Sequence, residues 1–244
     1  MLNLLTALIR STIRIIKLTI IMIAAIMLFF SGLSILSEVS SDFDSTLPKR
    51  YKDYTLPLKT PRGERFCSSV SMKYRGTPLT ITNNHCCDAA KGMPIEEGHV
   101  IVGNYIEKIL HQSNMADICV LTSHIKDSPI RLADKELQMF DKILVMGYPR
   151  GDFLVPRYGM VILLGEEVCI NYGEFPYEEL RCVESNFTSA TSYGGNSGSP
   201  IFNEQGELVN LLYAGPVALH TYSITVPLVF LQAAILEAYL NSND

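Results

Sequence analysis

Three short stretches of this chain hold residues whose types and placement could perform acyl-transfer chemistry. In Gly194-Gly195-Asn196-Ser197-Gly198-Ser199-Pro200 a serine sits among small residues, in a run suited to neither helix nor strand. A sharp turn there would let the backbone N–H groups of Gly195 and Ser197 converge on one spot, the arrangement that holds an oxyanion when Ser197 attacks a carbonyl. A plain Gly/Ser surface turn is the rival reading of the heptapeptide alone. The second stretch, Leu79-Thr80-Ile81-Thr82-Asn83-Asn84-His85-Cys86, reads as a strand ending in a histidine. The third, Ala116-Asp117-Ile118-Cys119-Val120-Leu121, puts an aspartate at the head of an apolar strand. An imidazole can take the proton of a serine hydroxyl near neutral pH, and a buried carboxylate can fix the imidazole tautomer.

Strands must position these groups. From Phe66 onward, segments rich in Val, Ile, Thr and Tyr alternate with Gly, Pro and Asn. The expected strands are Phe66–Tyr74, Leu79–Thr82, Val100–Leu110, Ile118–Thr122, Lys142–Met146, Arg157–Leu164, Glu179–Val183, Ile201–Phe202, Leu208–Ala214 and Ser223–Val226. Short strands at this spacing, with little helix between them, imply an antiparallel barrel or sandwich. Two helices are expected: a turn near His85–Ala90, and Leu228–Leu240, whose Leu228, Leu231, Ile235 and Tyr239 share a face behind Pro227. No internal sequence repeat is visible.

The three stretches, in the order His, Asp, Ser, resemble the motifs of trypsin-like (chymotrypsin-fold) serine peptidases: Thr-Ala-Ala-His-Cys, Asp-Ile/Leu-Ala-Val-Leu and Gly-Asp-Ser-Gly-Gly-Pro. A fourth, Asp141-Lys142-Ile143-Leu144-Val145-Met146-Gly147-Tyr148-Pro149-Arg150-Gly151, is similar to the strand opening the second barrel in bacterial periplasmic and glutamyl-type members. The resemblance covers about residues 63–244. It implies an all-β fold of two antiparallel six-stranded barrels with a C-terminal helix, the site lying in the cleft between them. It also implies roles: Ser197 the nucleophile, His85 the general base and acid, Asp117 its orienter, Gly195 and Ser197 N–H the oxyanion hole. Asp88 and Asp134 are the alternatives to Asp117; His99, His111 and His124 lack the motif and read as surface residues. Six residues before Ser197, Thr191 falls at the base of the specificity pocket with Ser192 beside it, Tyr213-Ala214-Gly215 as a wall and His220–Ile224 as another side. No acid stands at that base, which disfavours Lys or Arg and leaves a small or medium neutral side chain as the default. His220 with Ser192 or Thr191 could instead read an acidic side chain, although a solvent-facing His220 is the plainer expectation.

Asn196 departs from the Asp of animal digestive enzymes, which pairs with a new N-terminus after cleavage. Asn cannot form that pair, so no activation cleavage at Arg62-Gly63 or Arg65-Phe66 is expected. Ser199 replaces a family Gly. The resemblance pairs Cys67 with Cys86; Cys169 and Cys182 flank a loop and could bridge a hairpin; Cys87 and Cys119 are left either paired or as buried thiols. No cofactor and no metal site are implied, since no His/Cys/acid group has zinc-ligand spacing.

The first 37 positions are set apart. Leu18 to Leu36 is a run of 19 residues without a charge, about 28 Å long as a helix and so of bilayer thickness. Arg10, Arg14 and Lys17 precede it, and Glu38, Asp42 and Asp44 follow it, which places the N-terminus in the cytoplasm and the rest outside. A cleaved secretory signal is the rival, though no small-x-small site follows. The 20 basic side chains less these three leave 17 against 25 acids from residue 38 onward, a net of −8 that argues against a nucleic-acid partner. The expected organisation is an anchor over 1–37, a stalk over 38–62, a first barrel with His and Asp over 63–135, and a second barrel with Ser over 136–244.

Together these readings predict a single-pass, membrane-anchored serine endopeptidase acting on peptide or protein substrates outside the cytoplasm. The alternatives are a catalytically silent binding module of the same fold, and acyl transfer to a non-peptide ester. The sequon Asn186-Phe187-Thr188 matters only in a glycosylating host.

Overall fold

The Val/Ile/Thr-rich segments pair into two closed six-stranded barrels of the same connectivity. The computed structural model describes residues 44–171, 180–216 and 220–242. A short helix α1 (Leu47–Tyr51) leads into β1 (Thr55–Lys59), β2 (Arg65–Tyr74) and β3 (Thr77–Thr82). Then follow α2 (Asn84–Ala90), β4 (His99–Val102), β5 (Tyr105–Ser113) and β6 (Ile118–Thr122). Their order around the first barrel is β1-β2-β3-β6-β5-β4, closed by Leu58 against Val102. The second barrel uses β7 (Lys142–Gly147), β8 (Val155–Asn171), β9 (Leu180–Thr188), β10 (Ser199–Phe202), β11 (Leu208–Ala214) and β12 (Ser223–Val226). Its order, β7-β8-β9-β12-β11-β10, repeats the first, and β10 against β7 closes it. Helix α3 (Leu228–Asn241) ends the chain's described part.

Alternation explains how two barrels share one body. Along β7, Ile143 and Val145 join Val161, Ile201, Val209 and Leu212 inside the second barrel. Their neighbours Leu144 and Met146 point the other way and join Phe202 and Leu211 with Met72, Leu79, Ile81 and Val120 of the first barrel. Burial of each such side chain is worth about 1.5–3 kcal/mol. The first barrel keeps its own cluster around Leu58, Val100, Val102 and Leu121. In α3, Leu228, Leu231, Ala234, Ile235 and Ala238 are buried at helical spacing, as expected of that segment. The helix begins after Pro227, and its Leu228 N–H donates to Glu136 Oε2 at 2.6 Å. Burial raises the Glu136 carboxyl above its ordinary 4.5, against the backbone N–H groups of Leu137, Leu228 and Val229 that stabilise the charge.

Several expectations need correction. Residues 47–59 are not stalk: Leu47 and Tyr51 are buried, and β1 is a full barrel strand paired with both β2 and β4. The Tyr51 ring packs 4.9 Å from Phe202 and its hydroxyl donates to Gly206 O at 2.9 Å, so the segment fastens the first barrel to the second. The stretch Val100–Leu110 is a hairpin, turning at Gly103-Asn104 with Val102 opposite Tyr105. Strands β8 and β9 run well beyond the expected 157–164 and 179–183. Asn186 of the sequon is buried within β9, with Gly165 N–H donating to its Oδ1, and is no glycosylation acceptor in the folded chain. The apolar run Leu18–Leu36 lies outside the described residues; no described helix is long and apolar enough to cross a membrane.

All six cysteines are paired. Cys67–Cys86 and Cys169–Cys182 are the expected bridges, and Cys87–Cys119 settles the pair left open. Consecutive Cys86 and Cys87 pin α2 to β2 on one side and to β6 on the other.

Candidate active site

His85 is the second residue of α2, directly before the doubly bridged cysteines. Its Nδ1–H donates to Asp117 Oδ2 at 2.7 Å, and its backbone N–H donates to Asp117 Oδ1 at 2.9 Å. A carboxylate can only accept, so the proton sits on Nδ1 and Nε2 is the basic nitrogen. The Asp117 side chain is 1% exposed and that of His85 22%: the carboxylate is sealed in and the imidazole reaches the surface. Asp117 adopts the left-handed region at φ 51°. Its carbonyl receives Asn83 Nδ2 and the Asn84 N–H, each at 3.0 Å, which hold that conformation in place. Cys67 and Cys86 also lie beside His85, but their sulfurs are joined to each other and offer no metal ligand.

The serine loop is docked on the first barrel by β2. Ser68 N–H donates to Ser197 O at 2.7 Å, and Ser68 Oγ donates to Gly195 O at 2.8 Å. The same hydroxyl accepts Tyr148 N–H at 2.9 Å, and Thr82 Oγ1 donates to Ser68 O at 2.7 Å. The loop bearing Ser197 is therefore fixed against β2, which is braced in turn by Thr82 at the end of β3, the strand that leads into His85. Gly198, at φ +81°, is demanded by this docking, because a Cβ there would fall on Ser68 O and Thr82 Oγ1. Gly195, at φ +88°, is demanded by Tyr148 O, 2.5 Å from where its Cβ would stand. Gly194 O accepts Arg150 N–H at 2.5 Å. Across a planar trans peptide that turns the Gly195 N–H away from the 149–151 turn. The hydroxyl of Ser199 is accommodated by Gly147 opposite it, where any side chain would collide.

Beside Ser197 lies a cleft of about 490 Å³, walled by Ile170, Ser192, Ala214, Gly215, His220 and Tyr222 among others. Of the residues expected at the specificity pocket, Ser192, Ala214, Gly215 and His220 line this cleft with Ser197. Thr191 and Tyr213 do not line it. Tyr213 is buried, its hydroxyl 2.6 Å from Ser185 Oγ, and burial pushes its pKa up to about 12 despite that bond, with the Asp117 charge adding to the rise. His220 is not turned to solvent. Its Nδ1–H donates to Ser192 O at 2.7 Å and its ring stacks on Tyr193 at 4.2 Å. Of the other histidines, His124 is engaged by Glu107 Oε1 at 2.6 Å and by the Tyr105 ring. Sequence reasoning missed Ser68, Arg157 and the β8 wall of the cleft; none of them carries a local signature.

Comparison with known proteins agrees with this geometry. Residues 67–211 match the family described as trypsin-like peptidase domain. The chain is 26% identical over 166 residues to Protease Do-like 2, chloroplastic, of Arabidopsis thaliana, covering 66% of this chain and 26% of that protein. It is 25% identical over 180 residues to glutamyl endopeptidase of Staphylococcus aureus (strain MW2), covering 66% and 50%. The chain thus spans half or less of the curated relatives it matches. Among solved structures, the serine endoprotease from Yersinia pestis superposes with TM-score 0.58 at 17% identity, over 79% of this chain and 65% of that one. Rv3671c protease from M. tuberculosis, active form, gives 0.57 at 13%, over 80% and 87%. At these identities the superpositions speak for the fold.

Proposed function

This chain belongs to the trypsin-like peptidase domain family, and from that premise we propose that it is a serine endopeptidase working through Ser197, His85 and Asp117. The observation that carries the reading is the His85–Asp117 pair, two hydrogen bonds to one buried carboxylate, with the Ser197 loop docked on the adjoining strand end. In this mechanism Ser197 Oγ attacks the substrate carbonyl carbon while His85 Nε2 takes the hydroxyl proton. The negative charge moves to the carbonyl oxygen, where the Gly195 and Ser197 N–H groups receive it. His85 then gives the proton to the leaving amine, the C–N bond breaks, and an acyl-enzyme remains. Water attacks that ester by the same route in reverse, releasing the acid. Asp117 stays ionised throughout and stabilises the imidazolium. No cofactor enters these steps. The substrate is a peptide or protein.

The cleft favours a second, narrower reading, a preference for an acidic side chain before the cut bond. With His220 Nδ1 committed to Ser192 O, Nε2 is the nitrogen offered to a substrate, and as an imidazolium it would donate to a carboxylate. Glutamyl endopeptidase is among the relatives by name. The apolar run Leu18–Leu36 and its flanking charges support a membrane anchor, with the barrels outside the cytoplasm.

The test is labelling of the full chain in detergent with a fluorophosphonate probe, beside Ser197→Ala and His85→Ala. Labelling of the parent alone is expected, without prior cleavage. A folded parent that takes no label would sink the enzyme reading and leave a silent binding module. A peptide library on the labelled parent then decides the preference; equal turnover of Glu- and Gln-containing peptides would remove His220 from the specificity role.

A further inference from the structure

Arg157 reaches the underside of the serine loop in several places at once, beside Arg150, whose guanidinium carbon also lies 5.0 Å from the centre of the Tyr193 ring. It stands on β8 opposite Val145. Its Nη1 donates to Thr191 O at 3.2 Å. The Asn196 amide is set by its donors: with its oxygen turned toward them, it accepts Arg157 Nη1 at 2.9 Å and the Tyr193 N–H at 3.2 Å. The guanidinium carbon also lies 4.7 Å from the centre of the Tyr193 ring. One side chain therefore grips positions 191, 193 and 196 of the run that ends in Ser197. Asn196 is buried, so its amide oxygen has no water to fall back on.

We propose that Arg157 is a positioning residue: a built-in cation that clamps the Thr191–Asn196 run and so holds the Gly195 and Ser197 N–H groups in their working directions. The proposal rests on the peptidase reading for its effect on catalysis, though the clamp itself can be tested apart from it. The chemistry asks for arginine. A planar fork can donate in the plane while its face lies on an aromatic ring, whereas a lysine ammonium has no plane with which to stack and donate at once. Charge assistance makes the bonds to the two oxygens stronger than neutral ones. Burial lowers the Arg157 pKa below its ordinary value, and the nearby Arg150 lowers it further, but a guanidinium remains charged in a protein. Because the cation belongs to the strand itself, the turn needs no liberated chain end to be held. The same clamp reaches the substrate side through Tyr193, on which His220 stacks.

The decisive experiment compares Arg157→Ala and Arg157→Lys with the parent, as full chains in detergent, by amide hydrogen exchange and by turnover of a fluorogenic peptide. In Arg157→Ala, the peptide spanning 191–198 should lose protection while the barrel strands keep theirs, and kcat should fall about 10- to 100-fold. Low-millimolar methylguanidinium should restore both, because it refills the vacated site; Arg157→Lys should recover only part. A second variant separates clamping from bulk: Asn196→Asp should be tolerated opposite Arg157 as an ion pair but should be far more damaging when combined with Arg157→Ala. Parental exchange over 191–198 in Arg157→Ala would overturn the proposal, as would lost protection that methylguanidinium does not restore. A parent that shows neither turnover nor labelling would instead overturn the peptidase reading, and the exchange data would still decide the clamp.

Discussion

Replacing Ser68 with Ala tests whether the two barrels jointly build the site. The substitution keeps both backbone bonds of residue 68, to Ser197 O and from Thr82 Oγ1, and removes the two made by Oγ, to Gly195 O and from Tyr148 N–H. Ser68 is fully buried. Each lost bond is worth about 1 kcal/mol net, and a stranded buried partner adds to it, so the stability cost should be about 2–4 kcal/mol. For a body of this size that lowers Tm by about 5–15 °C. The catalytic effect is separate. Gly195 O is bonded in the peptide that follows the Gly195 N–H, and its release should loosen one oxyanion donor. Full loss of such a donor costs about 10²–10³ in kcat, so loosening should cost about 10-fold. KM should stay within about twofold, because Ser68 does not touch the cleft. Ser69→Ala is the control: its Oγ donates to Leu56 O, inside the first barrel, and its loss should lower Tm without changing kcat. The assays are thermal unfolding and steady-state turnover of one peptide by parent, Ser68→Ala and Ser69→Ala. Equal kcat in all three would refute the claim that β2 sets the oxyanion loop; an unchanged Tm in Ser68→Ala would refute the bond accounting.

Two further expectations concern stability. Cys87 and Cys119 are 32 residues apart, and a bridge closing such a loop is worth about 3.7 kcal/mol in chain entropy, so the Cys87→Ala/Cys119→Ala double variant should lose roughly that much in denaturant unfolding. A loss under about 1 kcal/mol would mean that the Cys67–Cys86 bridge and packing already hold α2 without it. Glu136 has its folded pKa raised by burial, so its contribution to stability is full below the unfolded pKa and is lost as pH rises through the folded value. Glu136→Gln, which keeps an acceptor for the Leu228 N–H, should therefore gain on the parent in thermal melts as pH is raised from about 4 to about 7. A gap that does not change with pH would contradict a raised carboxyl.

What the sequence made legible follows from how local each signal is. His85, Asp117 and Ser197 each sit in a short string, at a strand end or between glycines, so the string alone marks them. Strand β1 was hidden because Pro57 lies in its middle, and a proline in a strand argues against it. The hairpin at Gly103-Asn104 had its turn dipeptide in plain view, but the apolar run on both sides masked it. Ser68 carries no signal at all: the partners of its hydroxyl are main-chain atoms 80 and 127 residues away, and any small hydroxyl in Cys67-Ser68-Ser69 would look the same. Arg157 is similar, acting on the Thr191 carbonyl and one amide oxygen. Tyr213 was placed in the pocket wall by the resemblance alone; the register slips between Leu212 and Ala214, and its hydroxyl meets buried Ser185 instead of the cleft.

The placement of β1 bears on how the protein can be handled as a piece. A fragment cut at residue 67, where the family likeness begins, would lack β1 and leave β2 and β4 each with a bare row of backbone donors and acceptors. Such edges take up any extended chain that offers itself, a second copy included. The cut would also strip Leu47 and Tyr51 from Phe202 and Gly206 and uncover an apolar patch on the second barrel. Aggregation of a short fragment would therefore report a missing stave in the barrel, and a fragment meant to stay monomeric should begin ahead of Leu47.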